Sequence, residues 1–477
     1  MIRINLLLVG DATDGPTEEL IPLDSLDAAF RLLGGYNYEY ASITSGQSTY
    51  TLGQIPWGGE VTPLQADSDG SLIPFRLFEF SSNGAVLTWT PLGTSGSVVF
   101  RYPAIPGPTS LLKGILSTRK VPLAIHAVRL GGTQATAQAG NFTFYSRYAG
   151  NRYNGITLGI TSGGMITVTP SGGVGRNKVY QVGTDTALYQ TIRNETQKGY
   201  QGFFVKGPFD NAKLTIPAGT YTLTGGTDGV MDADQFDDFV NNWDLGGVDV
   251  ICPVGLLTTQ LSGAGVIDDM ALNDYPTLLV AQAPASGIAL SGLVISSRFL
   301  ASVAFQVVYD SGLPKQRQDD AAPLVAAIIG GNVFNITLSS LPESPAVPKY
   351  DQPSLHLLAA SGYITAFRSI SRDWALWYAT TSDPTWPISQ FRALQEIARV
   401  AFETLEPTLG NVVVTTADLD VLLGSGFQAV QGSRIVDWNL QLQGDTLYLD
   451  IDFVPYGEVR VVNAQINIGQ QQAVSPV

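Results

Sequence analysis

Three segments in the second half of the chain are apolar at nearly every position and are separated by helical patterns. They are VDVICPV at 248–254, TLLVAQAP at 277–284 and SVAFQVVYD at 302–310. A strand with one face in water alternates apolar and polar residues, whereas a strand covered on both faces is apolar throughout. These segments therefore predict an α/β body in which helices cover both faces of a sheet.

The remaining chain contains two blocks rich in short β-type runs and a distinct C-terminal part. At 477 residues the chain is long enough for roughly three domains. The predicted fold class is α/β plus β, multidomain, with a discontinuous α/β body, inserted β-rich domains and an α+β C-terminal domain. The predicted limits are 1–37 and 103–140 for the first part of the body, 38–102 for a β-rich insertion, 141–223 for an inserted β domain, 224–385 for the rest of the body, and 386–477 for the C-terminal domain.

The amino-acid composition restricts the surfaces and partners of this protein. Hydrophobic residues make up 44% of the chain and charged residues 14%, so much of the surface is polar but uncharged and is suited to burial against other copies of the chain. The net charge of −15 argues against nucleic acid or an anionic membrane surface as the main partner. No run of 18 apolar residues occurs, which predicts a soluble protein made in the cytoplasm. The single cysteine, Cys252, excludes an internal disulfide and is predicted to be a buried strand residue.

The C-terminal part begins with the clearest amphipathic helix of the sequence. Apolar residues recur at helical spacing on one predicted face: Ile388, Phe391, Leu394, Ala398, Phe402 and Leu405. Arg392, Gln395, Glu396, Arg399 and Glu403 are predicted to lie elsewhere on the helix. Further on, alternating residues on either side of Gly444 predict a β-hairpin.

Residue types that carry catalysis are scarce. The chain has two histidines, His126 in a predicted strand and His356 in a predicted helical segment, and no G-x-S-x-G motif accompanies them. One cysteine and two distant histidines lack the spacing of a zinc site. Asp319 and Asp320 precede an apolar helix and are predicted to supply its N-cap. The sequence therefore predicts no catalytic residues, no metal site and no cofactor.

A glycine-rich turn, LTGGTDG at 223–229, leads from a β segment into an acidic helix. A phosphate-binding loop would need a lysine after the glycines, whereas Asp228, Asp232 and Asp234 follow here and would repel a phosphate. Calcium is the better ionic candidate, although the spacing does not fit an EF-hand. The favoured interpretation is structural: Gly225, Gly226, Asp228 and Gly229 form the turn, and aspartates cap the helix and oppose its positive N-terminal dipole.

Four stretches, taken in order, resemble the contractile tail sheath proteins of myophages and related injection machines. LLLVGDATDGP and PLDSLDAAFRLLGG resemble the family's opening strand, its G-x-A-x-x-G-P turn and the helix that follows. YSRYAGNRYNGITLGIT contains the G-N-x-x-N-G pattern at Gly150, Asn151, Asn154 and Gly155. LTGGTDG is similar to the turn that leads from the family's inserted domain back to its body. The helix at 388–405, the hairpin and the final VRVVNAQINI resemble the family's C-terminal domain.

This resemblance implies a structural virion protein of the tail, assembled in the host cytoplasm, and not an enzyme. In the family, sheath subunits form stacked rings, commonly hexameric, around a tail tube, between a baseplate and a tail terminator protein. Contraction of the sheath drives the tube through the host envelope. No direct contact with nucleic acid and no membrane insertion are implied. Alternatives left open are the sheath of a bacteriocin or secretion device and, in a different class, a virion-surface binding protein.

The resemblance also implies two kinds of contact residue. The inter-subunit strand is predicted at the C-terminus, through Val461, Val462, Ala464, Ile466 and Ile468, with an ordinary edge strand as the alternative. The tube-facing residues are predicted to be Arg392, Gln395 and Arg399, and the alternative is that the arginines are solvated or pair with Glu396 and Glu403. Many sheaths carry an N-terminal arm before the first strand, whereas this sequence begins almost at that strand, so the resemblance does not extend to arm exchange; 38–102 has no assigned counterpart.

Overall fold

A computed structural model of the chain describes residues 3–54, 56, 61–66, 72–75, 80–83, 85–90, 96–104, 110–140, 142–162, 165–169, 178–181, 203–206, 217–271, 275–284, 295–309, 317–331, 341, 344–346, 352–368, 374–377, 379–408, 416–428, 430, 433–443 and 446–455. The chain divides into two compact units, Met1–Phe391 and Arg392–Val477. None of the described helices is long and apolar enough to cross a bilayer.

The described residues form a mixed α/β structure, as the sequence predicts. The strands are β1 Leu7–Gly10, β2 Ile21–Leu23, β3 Tyr36–Ile43, β4 Thr49–Thr51, β5 Thr62–Ala66, β6 Leu72–Pro74, β7 Phe80–Asn83, β8 Val86–Trp89, β9 Gly96–Pro103, β10 Ile125–Arg129, β11 Gln134–Ala139, β12 Phe142–Ala149, β13 Thr157–Ile160, β14 Met165–Thr169, β15 Lys178–Gln181, β16 Phe203–Lys206, β17 Gly219–Thr222, β18 Val250–Pro253, β19 Leu278–Gln282, β20 Leu300–Val303, β21 Gln306–Tyr309, β22 Arg317–Asp320, β23 Ser344–Ala346, β24 Tyr363–Phe367, β25 Ala375–Trp377, β26 Ser433–Gln443 and β27 Thr446–Pro455. The α-helices are α1 Leu26–Leu32, α2 Ser110–Thr118, α3 Ala233–Asn242, α4 Thr258–Ala264, α5 Val266–Met270, α6 Ala322–Gly331, α7 Gln352–Ala360, α8 Ile388–Leu405 and α9 Thr416–Phe427.

An eight-stranded sheet forms the centre of the first unit, in the order β2-β10-β1-β18-β19-β20-β24-β25. Its inner strands pair in parallel, and β2 and β25 pair antiparallel at the two edges. All four residues of β1 and of β18 are buried. The prediction of strands covered on both faces is therefore confirmed for 248–254 and 277–284. The third predicted segment, 302–310, is divided, because its first two residues end β20 and residues 306–309 form β21 of a separate sheet, β22-β21-β23.

Two hydrophobic clusters lie on opposite faces of the sheet because neighbouring strand residues point to opposite sides. Leu6 and Leu8 pack in one cluster together with residues of α1, α2 and α6. Leu7 and Val9 pack in the other, together with residues of α3, α4 and α5. The helices on both faces thus hold the carboxyl ends of β1 and β10 in fixed positions, from which the loops of the candidate site emerge.

Helix α6 begins in a way that differs from the sequence prediction. Asp319 and Asp320, predicted to cap it, lie in strand β22. The acceptor at the start of α6 is instead the buried side chain of Gln282, whose Oε1 accepts hydrogen bonds from the amides of Ala321 at 3.0 Å and Ala322 at 3.2 Å. A residue 40 positions away therefore supplies the acceptor that a local cap would otherwise provide.

The two β-rich blocks fold as sheets with cores of their own. In the first block, β3-β9-β5-β6 and β4-β8-β7 enclose a cluster that includes Leu87, Trp89 and Phe100. The second block contains the sheets β11-β12-β16 and β15-β14-β13-β17 and a cluster around Phe144 and Leu158. Strand β11, placed in the body by the sequence prediction, pairs with β12 of the inserted strands. The limits of the domains otherwise remain predictions.

The second unit contains most of α8, a 3-10 turn Glu406–Thr408, helix α9 and the hairpin β26-β27. Trp438 lies opposite Ile451 and Leu440 opposite Leu449 in the hairpin, and all four pack against a cluster formed by α8 and α9. The hairpin prediction is confirmed. The predicted apolar face of α8 is partly wrong, because Phe402 is 37% exposed.

Candidate functional site

Three of the four stretches that carry the family resemblance come together at one place in the first unit. This junction consists of residues 11–15 after β1, residues 129–136 from the end of β10 into β11, residues 149–156 from the end of β12 onward, and residues 223–229 before α3. The chain passes through it on the way into the inserted strands and again on the way out. It is the region where the inserted β strands connect to the central sheet.

The outgoing turn pairs with the incoming segment along the backbone. Thr133 and Thr227 exchange two amide-to-carbonyl hydrogen bonds, both 3.1 Å, and Thr136 and Thr224 exchange two more, at 2.8 and 3.0 Å. The strands between β10 and β18 are thus attached to the central sheet through a two-stranded connection. A paired connection of this kind resists bending far more than two separate loops would, because bending it requires breaking backbone hydrogen bonds.

The glycines predicted to form the turn are required there, for different reasons. Gly225 and Gly229 have φ of +80° and +71°, a region that favours glycine. Gly226 is packed so closely that a Cβ atom would lie 2.5 Å from the carbonyl oxygen of Gly150. The structural interpretation of Gly225, Gly226 and Gly229 therefore agrees with their geometry.

Both asparagines of the G-N-x-x-N-G segment form hydrogen bonds with this turn. The amide of Asn151 donates to Asp228 Oδ1 at 2.7 Å, and Asn151 Nδ2 donates to Asp228 Oδ2 at 3.1 Å. Asn154 donates to the carbonyl of Gly226 at 2.9 Å and accepts from its amide at 2.8 Å. Each asparagine makes two contacts, so the relative position of the two segments is fixed.

Asp228 thus contributes to the turn, and a different aspartate caps helix α3. The cap is Asp232, whose Oδ1 accepts from the amide of Gln235 at 2.8 Å while Gln235 Oε1 accepts from the amide of Asp232 at 3.3 Å. This is a capping box. Within the described ranges, no three His, Cys, Asp or Glu residues form a group that could hold a metal ion.

Asp14 ties the loop after β1 to the same segment. Its Oδ2 accepts from Arg152 Nη1 at 2.6 Å, and its Oδ1 accepts from the hydroxyl of Tyr153 at 2.5 Å and the amide of Gly15 at 2.8 Å. Asp14 is 8% exposed and Tyr153 2%. Burial, and then the carboxylate of Asp14, raise the pKa of Tyr153, so its hydroxyl stays a donor at all physiological pH values.

Arg129 lies at the centre of the junction, at the end of β10, and none of its surface is exposed. Nη1 donates to the carbonyls of Gly15 at 2.9 Å and Ala149 at 2.8 Å, and Nη2 donates to the carbonyl of Asp228 at 3.4 Å. Burial lowers the pKa of the guanidinium, whereas the nearby carboxylates of Asp14 and Asp228 act in the opposite direction. One planar cation therefore joins three segments that are distant in sequence.

The residues predicted to face the tail tube lie on α8, and two of them are not on its surface. Arg392 is 2% exposed and Gln395 1%, and Arg392 Nη1 donates to Gln395 Oε1 at 2.6 Å. The outward position expected for these two side chains is wrong, because the side chains are buried and bond to each other. Their prediction rested on the resemblance, and nothing in the local sequence distinguishes a buried arginine from a surface one.

Arg399, the third predicted tube contact, is paired within its own helix. It donates to both carboxylate oxygens of Glu396, and its Nη1 donates to Glu403 at 2.6 Å. These hydrogen bonds, the one to Glu396 first, raise the pKa of Arg399. This arrangement agrees with the pairing alternative, and a tube contact for Arg399 stays a prediction. The predicted inter-subunit strand, 461–468, lies outside the described residues.

Two solved structures are similar to this chain over nearly its whole length. The sheath tail protein of Listeria innocua matches with a TM-score of 0.56 and 12% identity, covering 95% of this chain and 92% of that one. The sheath tail protein of Desulfitobacterium hafniense matches with a TM-score of 0.50 and 13% identity, covering 95% of this chain and 97% of that one. This chain has the fold of a sheath tail protein. No protein-family model and no curated protein sequence matches it.

Within this sheath fold, the sequence prediction found the turn and the asparagine motif but missed two residues that join them. Arg129 follows an ordinary apolar strand, and no local signal distinguishes it from a solvated arginine. Asp14 belongs to the GDATDGP turn, whose likeness to the sheath turn was noted without a role for its carboxylate. Their function depends on contacts across 114 residues for Arg129 and Gly15 and 138 for Asp14 and Arg152, which spacing alone does not reveal.

Proposed function

We propose that this protein is the subunit of a helical contractile sheath. It is a structural virion protein that polymerises around a tail tube, and contraction of the polymer drives the tube through the host cell envelope. The observation that carries the proposal is the fold shared with two sheath tail proteins over 95% of the chain. Fold alone does not determine function, so an assembly experiment is the decisive test.

The proposed mechanism requires subunits that rearrange without losing their internal shape. Repeated head-to-tail contacts generate helical polymers when the rotation between subunits does not close a ring. A small free-energy gain per subunit, added over many copies, then drives the change of lattice, since packed interfaces switch between discrete arrangements. The paired connection and the buried Arg129 support a role in which the inserted strands move together with the central sheet.

The proposed partners are other copies of this chain in stacked rings, the tail tube protein, and baseplate and tail terminator proteins. The protein would act in the virion tail after assembly in the host cytoplasm, without enzymatic activity. A sheath in a bacteriocin or secretion device uses the same assembly and is the alternative within this class. A virion-surface binding protein, the alternative from another class, predicts discrete particles instead of tubes.

Electron microscopy of the purified full chain at high concentration tests this proposal. We expect hollow helical tubes, and we expect deletion of 461–477 to abolish them, because β-strand addition between subunits would lose its donor. The matched control is deletion of 470–477, which removes the polar tail and keeps the predicted strand.

Each result decides a separate point. Tubes that persist after deletion of 461–477 contradict the C-terminal strand donor and leave the sheath proposal in place. Dispersed particles from the full chain, both alone and mixed with the tube protein of the same tail, contradict the sheath proposal and favour the surface binding protein.

A further inference from the structure

Two carboxyl groups lie side by side where helices α3 and α5 pack together. Asn241 Nδ2 donates to Asp269 Oδ2 at 2.8 Å and also reaches Asp237 Oδ2, at 3.4 Å. The other oxygen of Asp237, Oδ1, is buried and accepts no hydrogen bond from the described residues. The pair therefore combines an unsatisfied buried acceptor with a second carboxylate at its side.

Helices α3 and α5 carry no basic residue that could neutralise the two carboxylates. The charged groups that act most strongly on Asp237 are Asp269, Asp238 and Asp234. Helix α5 also carries Asp268, and α4, the remaining helix of this group, contains no ionisable residue. When both are ionised, the carboxylates of Asp237 and Asp269 repel each other, since both lie beside the same amide nitrogen of Asn241. A buried acceptor without a donor costs about 1–3 kcal/mol in general.

A single proton removes the repulsion. If one carboxyl group is protonated, its O–H can donate to the other, and the two like charges no longer face each other. We propose that Asp237 and Asp269 share one proton and thereby form an acid-stabilised latch between α3 and α5. This proposal does not depend on the sheath function.

The sign of the pH effect follows from the direction of the shift. Burial and the neighbouring carboxylate of Asp269 raise the pKa of Asp237 above its usual value. The folded state then binds the proton more tightly than the unfolded state, so the contribution of this pair to the free energy of unfolding is highest at low pH. It decreases as pH rises through the folded-state pKa, where the second carboxylate ionises.

The test is the thermal unfolding midpoint of the full chain from pH 5 to pH 8. We expect the midpoint of Asp237→Asn to exceed that of the wild type by about 2 °C at pH 8, with the difference shrinking toward pH 5. The amide keeps a donor for Asp269 and cannot ionise. Asp268→Asn is the matched control, since it removes one negative charge from the same helix pair without touching the latch.

A second variant, Asp269→Asn, tests whether the effect depends on the pair and not on Asp237 alone. Its unfolding midpoint should also exceed that of the wild type at pH 8, with a difference that shrinks toward pH 5. Equal pH profiles for wild type, Asp237→Asn and Asp268→Asn would overturn the proposal. So would a midpoint that rises when calcium is added to the wild type at pH 8 and does not rise for Asp237→Asn, because that result would identify a cation site in place of a shared proton.

Discussion

Replacing Arg129 with methionine is expected to destabilise the first unit by about 3 kcal/mol or more, because the variant leaves carbonyls in the junction without their donor. The guanidinium of Arg129 bonds the carbonyls of Gly15, Ala149 and Asp228. Methionine fills a similar volume and donates no hydrogen bond. It also removes a positive charge that acts on Asp14 and Asp228, although Asp14 keeps its ion pair with Arg152.

Urea unfolding and limited proteolysis measure this effect. We expect Arg129→Met to shift the urea transition to lower concentration, and we expect protease cleavage near 130–133 and 224–229 before the central sheet is attacked. Cleavage at these positions would report that the inserted strands have detached from the sheet before global unfolding.

Two control variants separate the effect of the lost hydrogen bonds from that of the lost charge and from that of replacing any arginine. Arg129→Lys keeps the charge but cannot donate in two directions from one plane, so an intermediate loss is expected. Arg147, exposed on β12 and stacked on Tyr148, should tolerate methionine within about 0.5 kcal/mol. Wild-type stability and an unchanged cleavage pattern in Arg129→Met would show that the junction is held by its backbone pairing alone.

The central sheet could be predicted from sequence because strands that are buried on both faces are apolar at nearly every position. VDVICPV and TLLVAQAP are apolar on both faces, and β18 and β19 are buried on both faces. The hairpin β26-β27 was predictable for a similar reason, since alternation and a central glycine specify a local pairing. Patterns of this kind involve residues close together in sequence, so they can be recognised without knowledge of the tertiary structure.

Buried polar residues were the part that sequence could not predict. Gln282, Arg129 and Arg392 look like surface residues when their types are considered alone, yet they are 5%, 0% and 2% exposed. A polar side chain is stable in the interior only when the fold brings partners to it. Those partners come from distant segments for Gln282 and Arg129, so the pattern along the chain gives no sign of them.

The turn at 223–229 provides the second large effect, because neighbouring glycines differ in what a methyl group would meet. Gly229→Ala is expected to cost about 4 kcal/mol, since it combines a φ of +71° with a Cβ atom 2.0 Å from the amide nitrogen of Gly132. Gly226→Ala is expected to cost about 2–3 kcal/mol, because its Cβ atom would lie 2.5 Å from the carbonyl oxygen of Gly150 and 3.0 Å from the Cβ atom of Ala135.

Gly225→Ala is the matched control, since its φ is +80° and a Cβ atom there would meet nothing within 4 Å. It should cost only about 1 kcal/mol, the general penalty of the left-handed conformation for alanine. Urea unfolding of the three variants therefore separates close packing from backbone strain. The order Gly229, Gly226, Gly225 would establish that the turn is pressed against the incoming segment and the G-N-x-x-N-G loop. Equal losses at 229 and 225 with none at 226 would mean that backbone strain alone matters, because Gly226 has no positive φ. A junction that tolerates a methyl group at 226 would then be loose enough to act as a hinge.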